Sequence, residues 1–181
     1  MKTAPLFACA GVLTPLLAVA GLAWLDRPLY AAAQSLEQHF APAENLEAID
    51  VALIESAGER IEMAAYVLTD FAVIEALTDA AARGVKVRVY RSHDERAPNG
   101  RLADAMLQLT AAGADVRTRA ADAPLMHLKA YCVDGRALRF GAANFSHSGL
   151  TEQDNDLDIA RGASACDRFE AAFARLWANS E

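Results

Sequence analysis

The chain has 181 residues, enough for one domain with a hydrophobic core and too few for two domains of ordinary size. Its formal net charge is -7, whereas proteins that bind nucleic acid by bulk attraction are usually basic. The charge therefore argues against tight, non-specific DNA binding, and a nucleic-acid substrate would require a local positive site. The cysteines, Cys9, Cys132 and Cys166, form neither a CxxC metal pair nor a disulfide framework. We expect Cys132 and Cys166 to be small buried residues.

The N-terminal segment is strongly apolar. The stretch Ala4–Leu25 contains no charged residue and is flanked by a lysine on one side and by an aspartate and an arginine on the other. It is longer than the ~7–15 residues of a cleavable export signal and matches the ~20 residues of a spanning helix. We therefore predict that residues 1–25 are a membrane anchor or a signal peptide, with cleavage left open. Residues 26–44 are predicted to be a linker, and residues 45–181 a domain outside the cytoplasm.

Helical and strand-like patterns alternate along the predicted domain. In chain order, these patterns predict a helix over Asn45–Ala57, a strand over Ile61–Val67, a helix capped by Asp70 and ended by Gly84, a strand over Val85–Tyr90, a helix over Leu102–Leu109, a strand over Asp115–Arg119, strands over His127–Val133 and Ala137–Phe140, a strand around Leu157–Ile159, and a final helix opened by a capping box from Ser164 to Asp167. Asp134-Gly135 is a strong hairpin signal. The alternation predicts an α/β fold with a mixed β-sheet sandwiched between helices.

The residues best suited to catalysis lie between positions 126 and 145. Side chains at positions i and i+2 of a strand share a face, so His127 and Lys129 are expected to project together. A neighbouring cation favours the neutral, nucleophilic form of an imidazole, and it can also hold a phosphate oxygen. Asn144 lies beyond Gly141, which allows close approach of the backbone, and it can donate to another phosphate oxygen. Together these residues indicate metal-independent phosphoryl transfer through a phosphohistidine.

Asp134 has the opposite strand parity to His127, so its spacing favours a role in holding the hairpin over attack on a substrate. The pattern His127-x-Lys129-x4-Asp134, followed by Gly-x-x-Asn144, nevertheless resembles the HKD motif of the phospholipase D superfamily. The resemblance covers about residues 44–179 and is greatest to small single-motif members, among them bacterial endonucleases. It implies a phospholipase D-like fold, a catalytic set that includes Asp134, and no cofactor or metal.

The resemblance also implies a two-step mechanism. One histidine attacks phosphorus, a second protonates the leaving oxygen, and water then releases the phosphohistidine. This chain has one such motif, so the second histidine is expected to be His127 of a partner chain across a twofold axis. The resemblance therefore implies a homodimer that shares one active site.

Two positions depart from the pattern of the superfamily. Ala142 replaces a serine that usually precedes the asparagine by two residues, so either activity is lower or Ser146 or Ser148 supplies the hydroxyl. Superfamily members also carry a downstream carboxylate that supports the histidine. Asp156 is the best match for it here, and Asp154 remains an alternative.

Weaker candidates surround these residues. We consider His93, Ser146 and His147 as substrate-binding residues, although exposed loop histidines are common without a function. Three aspartates share one strand face but lack the glycine or histidine of a metal site, so we expect a solvated or site-supporting face. Five basic residues form either a strip beside the site or ordinary alternating surface charge; these are Lys86, Arg88, Arg91, Arg117 and Arg119.

Three functions follow from these features. The first is a non-specific endonuclease, and the second is a phospholipase D that hydrolyses membrane phospholipid, favoured by the apolar N-terminal segment. The third is a membrane-tethered binding protein whose site has decayed, suggested by Ala142. Because His127, Lys129 and Asn144 are all present, the sequence favours the two enzymatic hypotheses.

Overall fold

The computed structural model describes residues 35–92 and 100–179. The predicted anchor or signal over residues 1–25 and the candidate substrate residue His93 lie outside these ranges. Within them, no helix is both long enough and apolar enough to cross a membrane.

The described chain forms one seven-stranded sheet with helices on both faces. In chain order the elements are β1 (Ser35–Ala41), α1 (Leu46–Glu55), β2 (Arg60–Ala65), α2 (Phe71–Ala82), β3 (Lys86–Arg91), α3 (Gly100–Ala111), β4 (Asp115–Thr118), β5 (Lys129–Val133), β6 (Ala137–Phe140), α4 (His147–Thr151), β7 (Asn155–Arg161) and α5 (Asp167–Ala178). The strand order is β1-β7-β6-β5-β2-β3-β4. Strands β2, β3 and β4 are parallel, and the remaining neighbours are antiparallel.

Strand alternation divides the core between the two faces of the sheet. Met63 of β2 and Val89 of β3 belong to the larger apolar cluster, which also holds the buried faces of α1, α2 and α3. Ala64 and Tyr90, the next residues along these strands, belong to a second cluster beneath α5 that includes Phe173. The predicted α/β architecture, with a mixed sheet between helices, is confirmed.

Local capping follows the sequence where side chains and backbone agree. Asn45 Oδ1 accepts a hydrogen bond of 3.1 Å from the Ala48 N–H, and Asp70 Oδ1 accepts one of 3.0 Å from the Val73 N–H. At the other end of the sheet, Asp134 has a φ of 52° and Gly135 a φ of 71°, as expected for the predicted tight hairpin.

The linker prediction is wrong for its last part. Residues Ser35–Ala41 form β1, which pairs antiparallel with β7 over its whole length. An edge strand is held by backbone hydrogen bonds to one neighbour, so it needs no continuous apolar face. Leu36 and Phe40 of β1 are in fact exposed, which explains why apolar periodicity did not reveal this strand.

Two further expectations are corrected near α5. Cys132 of β5 and Cys166 form a disulfide with a Cα–Cα distance of 5.9 Å, so they are not independent buried thiols. Cys166, and not Ser164, is the N-cap of α5, so the helix begins two residues later than the predicted capping box places it. The cysteines are far apart in sequence, and pairing at that separation depends on tertiary structure that spacing does not reveal.

Candidate active site

His127 and Lys129 lie where β5 begins, at the edge of the sheet where β2 and β3 end. The strand starts at Lys129 and not at His127 as predicted, so the imidazole precedes the strand and is exposed. Lys129 is only 8% exposed, and its Nζ lies 3.2 Å from His127 Nε2 and donates to the His127 carbonyl at 2.8 Å. The structure therefore brings together the two side chains that strand parity placed on one face.

Tyr66 contacts both of these side chains. Its ring centroid lies 4.3 Å from that of His127, and Lys129 Nζ lies 4.7 Å from the Tyr66 centroid. The Tyr66 N–H donates to the Leu128 carbonyl at 2.8 Å, which ties the end of β2 to the start of β5. Sequence reasoning missed this residue, because only the pairing of β2 with β5 shows that Tyr66 follows the strand beside His127.

Burial and a second cation act on Lys129. Burial lowers the pKa of its ammonium below the ordinary value, and the nearby Arg139 guanidinium lowers it further. Arg139 Nη1 donates to the Lys129 carbonyl at 2.9 Å and to the Ala143 carbonyl at 3.2 Å. One nitrogen thus holds the start of β5 against the turn that carries Asn144.

Arg139 belongs to a fully buried polar network. Its Nε and Nη2 each donate to one carboxylate oxygen of Asp50 at 3.0 Å, and Tyr131 donates to the same carboxylate at 2.9 Å. Burial raises the pKa of Asp50, while the Arg139 guanidinium opposes that rise. The network was not predicted, because on sequence alone Asp50 belongs to a helix and Arg139 to a strand, with nothing to indicate that they meet.

The turn after β6 places Asn144 near the site. Gly141 has a φ of 141°, and a Cβ atom at that position would lie 2.6 Å from the Asp156 carbonyl oxygen, so a side chain there is excluded. The Ala142 N–H donates to Asp156 Oδ1 at 3.1 Å. Asp156 thus holds the turn. Among the described residues, the buried Asn144 Oδ1 has no hydrogen-bond partner.

The candidate substrate-binding residues after Asn144 make their hydrogen bonds away from His127. Ser146 is the N-cap of α4, and its Oγ accepts a hydrogen bond of 3.2 Å from the Gly149 N–H. His147 is exposed, with its Nδ1 3.3 Å from Glu47 Oε2. Both side chains thus interact with residues other than His127, and their role in substrate binding remains a prediction.

Glu47, Asp70 and His147 are close enough to share a metal ion, since one ligand atom from each lies within 4.8 Å of the others. Burial raises the pKa of the Asp70 carboxyl, and Glu47 adds to the rise. Asp70 Oδ1 already caps α2, however, and α1, α2 and α4 all begin here with partial positive charge at their N-termini. This setting disfavours a cation.

Asp134 lies at the opposite end of β5 from His127, roughly 20 Å away along the strand. Its carboxylate accepts hydrogen bonds from the backbone N–H groups of Gly58, Glu59 and Arg60 at 2.8–2.9 Å. Burial alone would raise the pKa of Asp134, but these three N–H groups bring it below its ordinary value. Its place in the catalytic set is therefore corrected, because the residue holds the hairpin to the start of β2.

Two of the five basic residues considered for a strip beside the site pack against α5. Arg88 pairs with Glu62 and lies 5.3 Å from the Trp177 ring centroid, and Arg117 lies 4.2 Å from the same ring. These two arginines pack beneath α5, where cation–π contacts and partial burial hold them.

Comparison with known proteins identifies the class to which this fold and site belong. Residues 51–177 match the family described as the cardiolipin synthase, phospholipase D-like domain. The chain therefore belongs to this phospholipase D-like family, and the predicted resemblance to the phospholipase D superfamily is confirmed. No curated protein matches the sequence significantly.

Solved structures agree with this assignment. Nuc from Salmonella typhimurium, a phospholipase D family member, is 26% identical, with 81% of this chain and 96% of that chain covered and a TM-score of 0.72. NucT from Helicobacter pylori is 18% identical over 81% and 97% of the two chains, with a TM-score of 0.69. Polyphosphate kinase from Porphyromonas gingivalis shares the fold at 16% identity over 81% of this chain and 26% of that chain, with a TM-score of 0.67. Family and neighbours together support a phosphodiesterase in the general sense.

Proposed function

We propose that the protein is a metal-independent phosphodiester hydrolase that works through a phosphohistidine on His127, and that it is a non-specific endonuclease. The observation that carries the proposal is the 3.2 Å approach of Lys129 Nζ to His127 Nε2. A phosphate oxygen bound by the ammonium would replace Nε2 as its hydrogen-bond partner. The imidazole lone pair is then free to attack, and the lysine offsets the charge that develops on phosphorus.

The proposed reaction has two steps. His127 Nε2 forms a bond to phosphorus while the bond to the leaving oxygen breaks, and the partner's His127 gives its proton to that oxygen. The partner's His127 then takes a proton from a water molecule, which attacks phosphorus and releases the nucleophilic His127. The Asn144 amide lies in the turn that Arg139 holds against Lys129, where it is suited to donate to a phosphate oxygen.

An exposed apolar face beside the site supports the homodimer. Strand register puts Phe40 opposite Asp156 and Phe140 opposite Asp158, so the two phenylalanines share a face with Leu36 of β1. Their exposed fractions are 54%, 36% and 56%, which is high for large apolar residues. Because Phe140 directly precedes the turn that leads to Asn144, a partner on this face would approach the active site.

Phospholipid is the second candidate substrate. The apolar stretch Ala4–Leu25 favours it, because an anchored enzyme would face lipid, and the description of the matching family includes cardiolipin synthase. In favour of nucleic acid, the chain matches nearly the whole length of Nuc and NucT, 96% and 97% of the two chains. In either case we propose an exported location, since a Cys132–Cys166 disulfide persists in oxidising compartments.

A substrate panel in excess EDTA tests the function. The full chain in detergent is incubated with plasmid DNA, single-stranded RNA and phospholipid vesicles, and acid-quenched protein is tested for phosphohistidine. We expect nucleic-acid cleavage that His127→Asn abolishes and that the matched His39→Asn, on β1 and bonded to Glu44, retains. Head-group release without cleavage would favour the phospholipase. Turnover retained by His127→Asn would show that His127 is not the nucleophile.

Subunit mixing tests the shared site. If each site needs two copies of His127, mixed dimers of wild type and His127→Asn are inactive. After unfolding and refolding an equal mixture, activity should then be about one quarter of the all-wild-type value. A value of about one half would show that each chain works alone.

A further inference from the structure

A cleft of about 350 Å³ opens on the α5 side of the sheet, next to the proposed active site. Leu128, the residue after His127, forms one wall, and Leu176 of α5 forms another. Arg119, just after β4, and Arg175, in the last turn of α5, contribute the two charged side chains of the lining. No carboxylate of the described residues lines this cleft.

The two arginines leave the cleft positively charged in a protein whose formal net charge is -7. Arg119 Nε is buried and has no hydrogen-bond partner among the residues that the structure describes. A buried donor without a partner costs free energy unless a ligand or water accepts from it. On α5, positions three and four residues from Arg175 are alanines and Asn179, so no acid on the helix neutralises it. The nearby Asp122 is exposed and does not line the cleft.

Strand register gives the backbone separation between Lys129 and the Arg119 side of the cleft. Lys129 pairs with Ala65, Ala65 with Arg91, and Arg91 with Thr118, the residue before Arg119. These are three steps between neighbouring strands, or about 14 Å at ~4.8 Å per step. Because successive phosphates of one strand are at least about 3.4 Å apart, 14 Å is long enough to separate two different phosphates of the same nucleic-acid chain.

We propose that this cleft binds a second backbone phosphate of a nucleic-acid chain while His127 attacks the first. This proposal rests on the proposed phosphodiesterase function. Arginine offers a planar fork that matches phosphate oxygens, and the missing acceptor of Arg119 Nε is one that phosphate supplies. The apolar walls from Leu128 and Leu176 suit the sugar beside that phosphate. A monomeric diester cannot reach both positions, so the cleft would select a polymer.

The test compares a polymer with a small diester. The double variant Arg119→Gln/Arg175→Gln is assayed on a fluorescent 20-nucleotide single strand and on bis(p-nitrophenyl) phosphate. We expect the KM for the oligonucleotide to rise about 10-fold, and by at least five times more than any rise for the small diester. The double variant Lys86→Gln/Arg136→Gln removes the same two positive charges at the opposite end of the sheet and serves as the control. An equal loss on both substrates, or no change on the oligonucleotide, would overturn the proposal.

Binding separates this proposal from the proposed reaction. In a His127→Asn background, the two glutamine substitutions should weaken oligonucleotide binding, measured by anisotropy, and reduce the slope of log K against log salt by ~0.7 for each arginine–phosphate interaction removed. Unaltered affinity and slope would reject the cleft even if the enzyme cuts DNA. Conversely, weaker binding by the variant would support the cleft even if the proposed hydrolysis failed in its own assay.

Discussion

The Asp50–Arg139 pair allows a quantitative test of how the site is held together. Asp50→Ala removes the two 3.0 Å hydrogen bonds that Arg139 donates and leaves a guanidinium buried without its counter-charge. Hydrogen bonds to charged groups contribute ~1.5–3 kcal/mol each, and breaking a buried ion pair from one side costs ~3–5 kcal/mol. We therefore expect a loss of about 4 kcal/mol in the free energy of unfolding, a large share of the ~5–15 kcal/mol of an ordinary domain.

Urea denaturation followed by circular dichroism measures this loss. With an m-value of about 2 kcal/mol/M, the midpoint should fall by about 2 M for Asp50→Ala, and similarly for the single variants Asp50→Leu and Arg139→Met. The double variant Asp50→Leu/Arg139→Met removes both charges together and should recover to within about 2 kcal/mol of wild type. The remaining cost comes from the Lys129 and Ala143 carbonyls, which lose their shared donor. Strictly additive single losses, or single losses under about 1 kcal/mol, would refute the reasoning.

Two predictions concern pH. Because the pKa of Lys129 is lowered from 10.5, activity should fall as pH rises and the ammonium deprotonates, with the midpoint of this alkaline limb below pH 10.5, and pH–rate profiles measure it. The cost of burying this charge is fully present below the folded pKa, decreases as pH rises through it, and is gone above the ordinary value of 10.5. The pKa of Asp134 is lowered from 3.8, so its stabilisation is present above about pH 3.8 and is lost as pH falls through the folded pKa. Asp134→Ala should cost about 2 kcal/mol at pH 7 in urea denaturation, with a smaller difference from wild type in acid; an equal difference at both pH values would contradict this role.

Sequence periodicity predicted the elements whose side chains alternate between core and solvent. The helices capped by Asn45 and Asp70 and the hairpin at Asp134 formed as expected, because local hydrogen bonds within a few residues determine them. The edge strand β1 was missed, since backbone pairing to β7 holds it and leaves Phe40 exposed. Short α4 was missed for a related reason, because one turn of helix has no periodic face.

The same distinction applies to the site. His127 and Lys129 are two residues apart, so strand geometry was enough to place them together. Tyr66 and Arg139 act through contacts between segments distant in sequence, and only the order of strands in the sheet brings them to Lys129. For Asp134 the motif suggested a place in the active site that the fold does not give it. It belongs to the motif by spacing, yet β5 carries it to the far end of the sheet.

The buried network also explains how two cations can lie side by side. Arg139 lowers the pKa of Lys129, and a bare guanidinium at that position would lower it further. Asp50 accepts from Arg139 on the side away from Lys129 and offsets part of its charge, while the remaining nitrogen positions the backbone of the catalytic strand. Removing the carboxylate should therefore shift the alkaline limb of activity to lower pH, in addition to destabilising the fold. Arg139 can thus act as a rigid clamp at the site only because Asp50 compensates its charge, which makes Asp50 a positioning residue for the reaction although it lies wholly out of reach of a substrate.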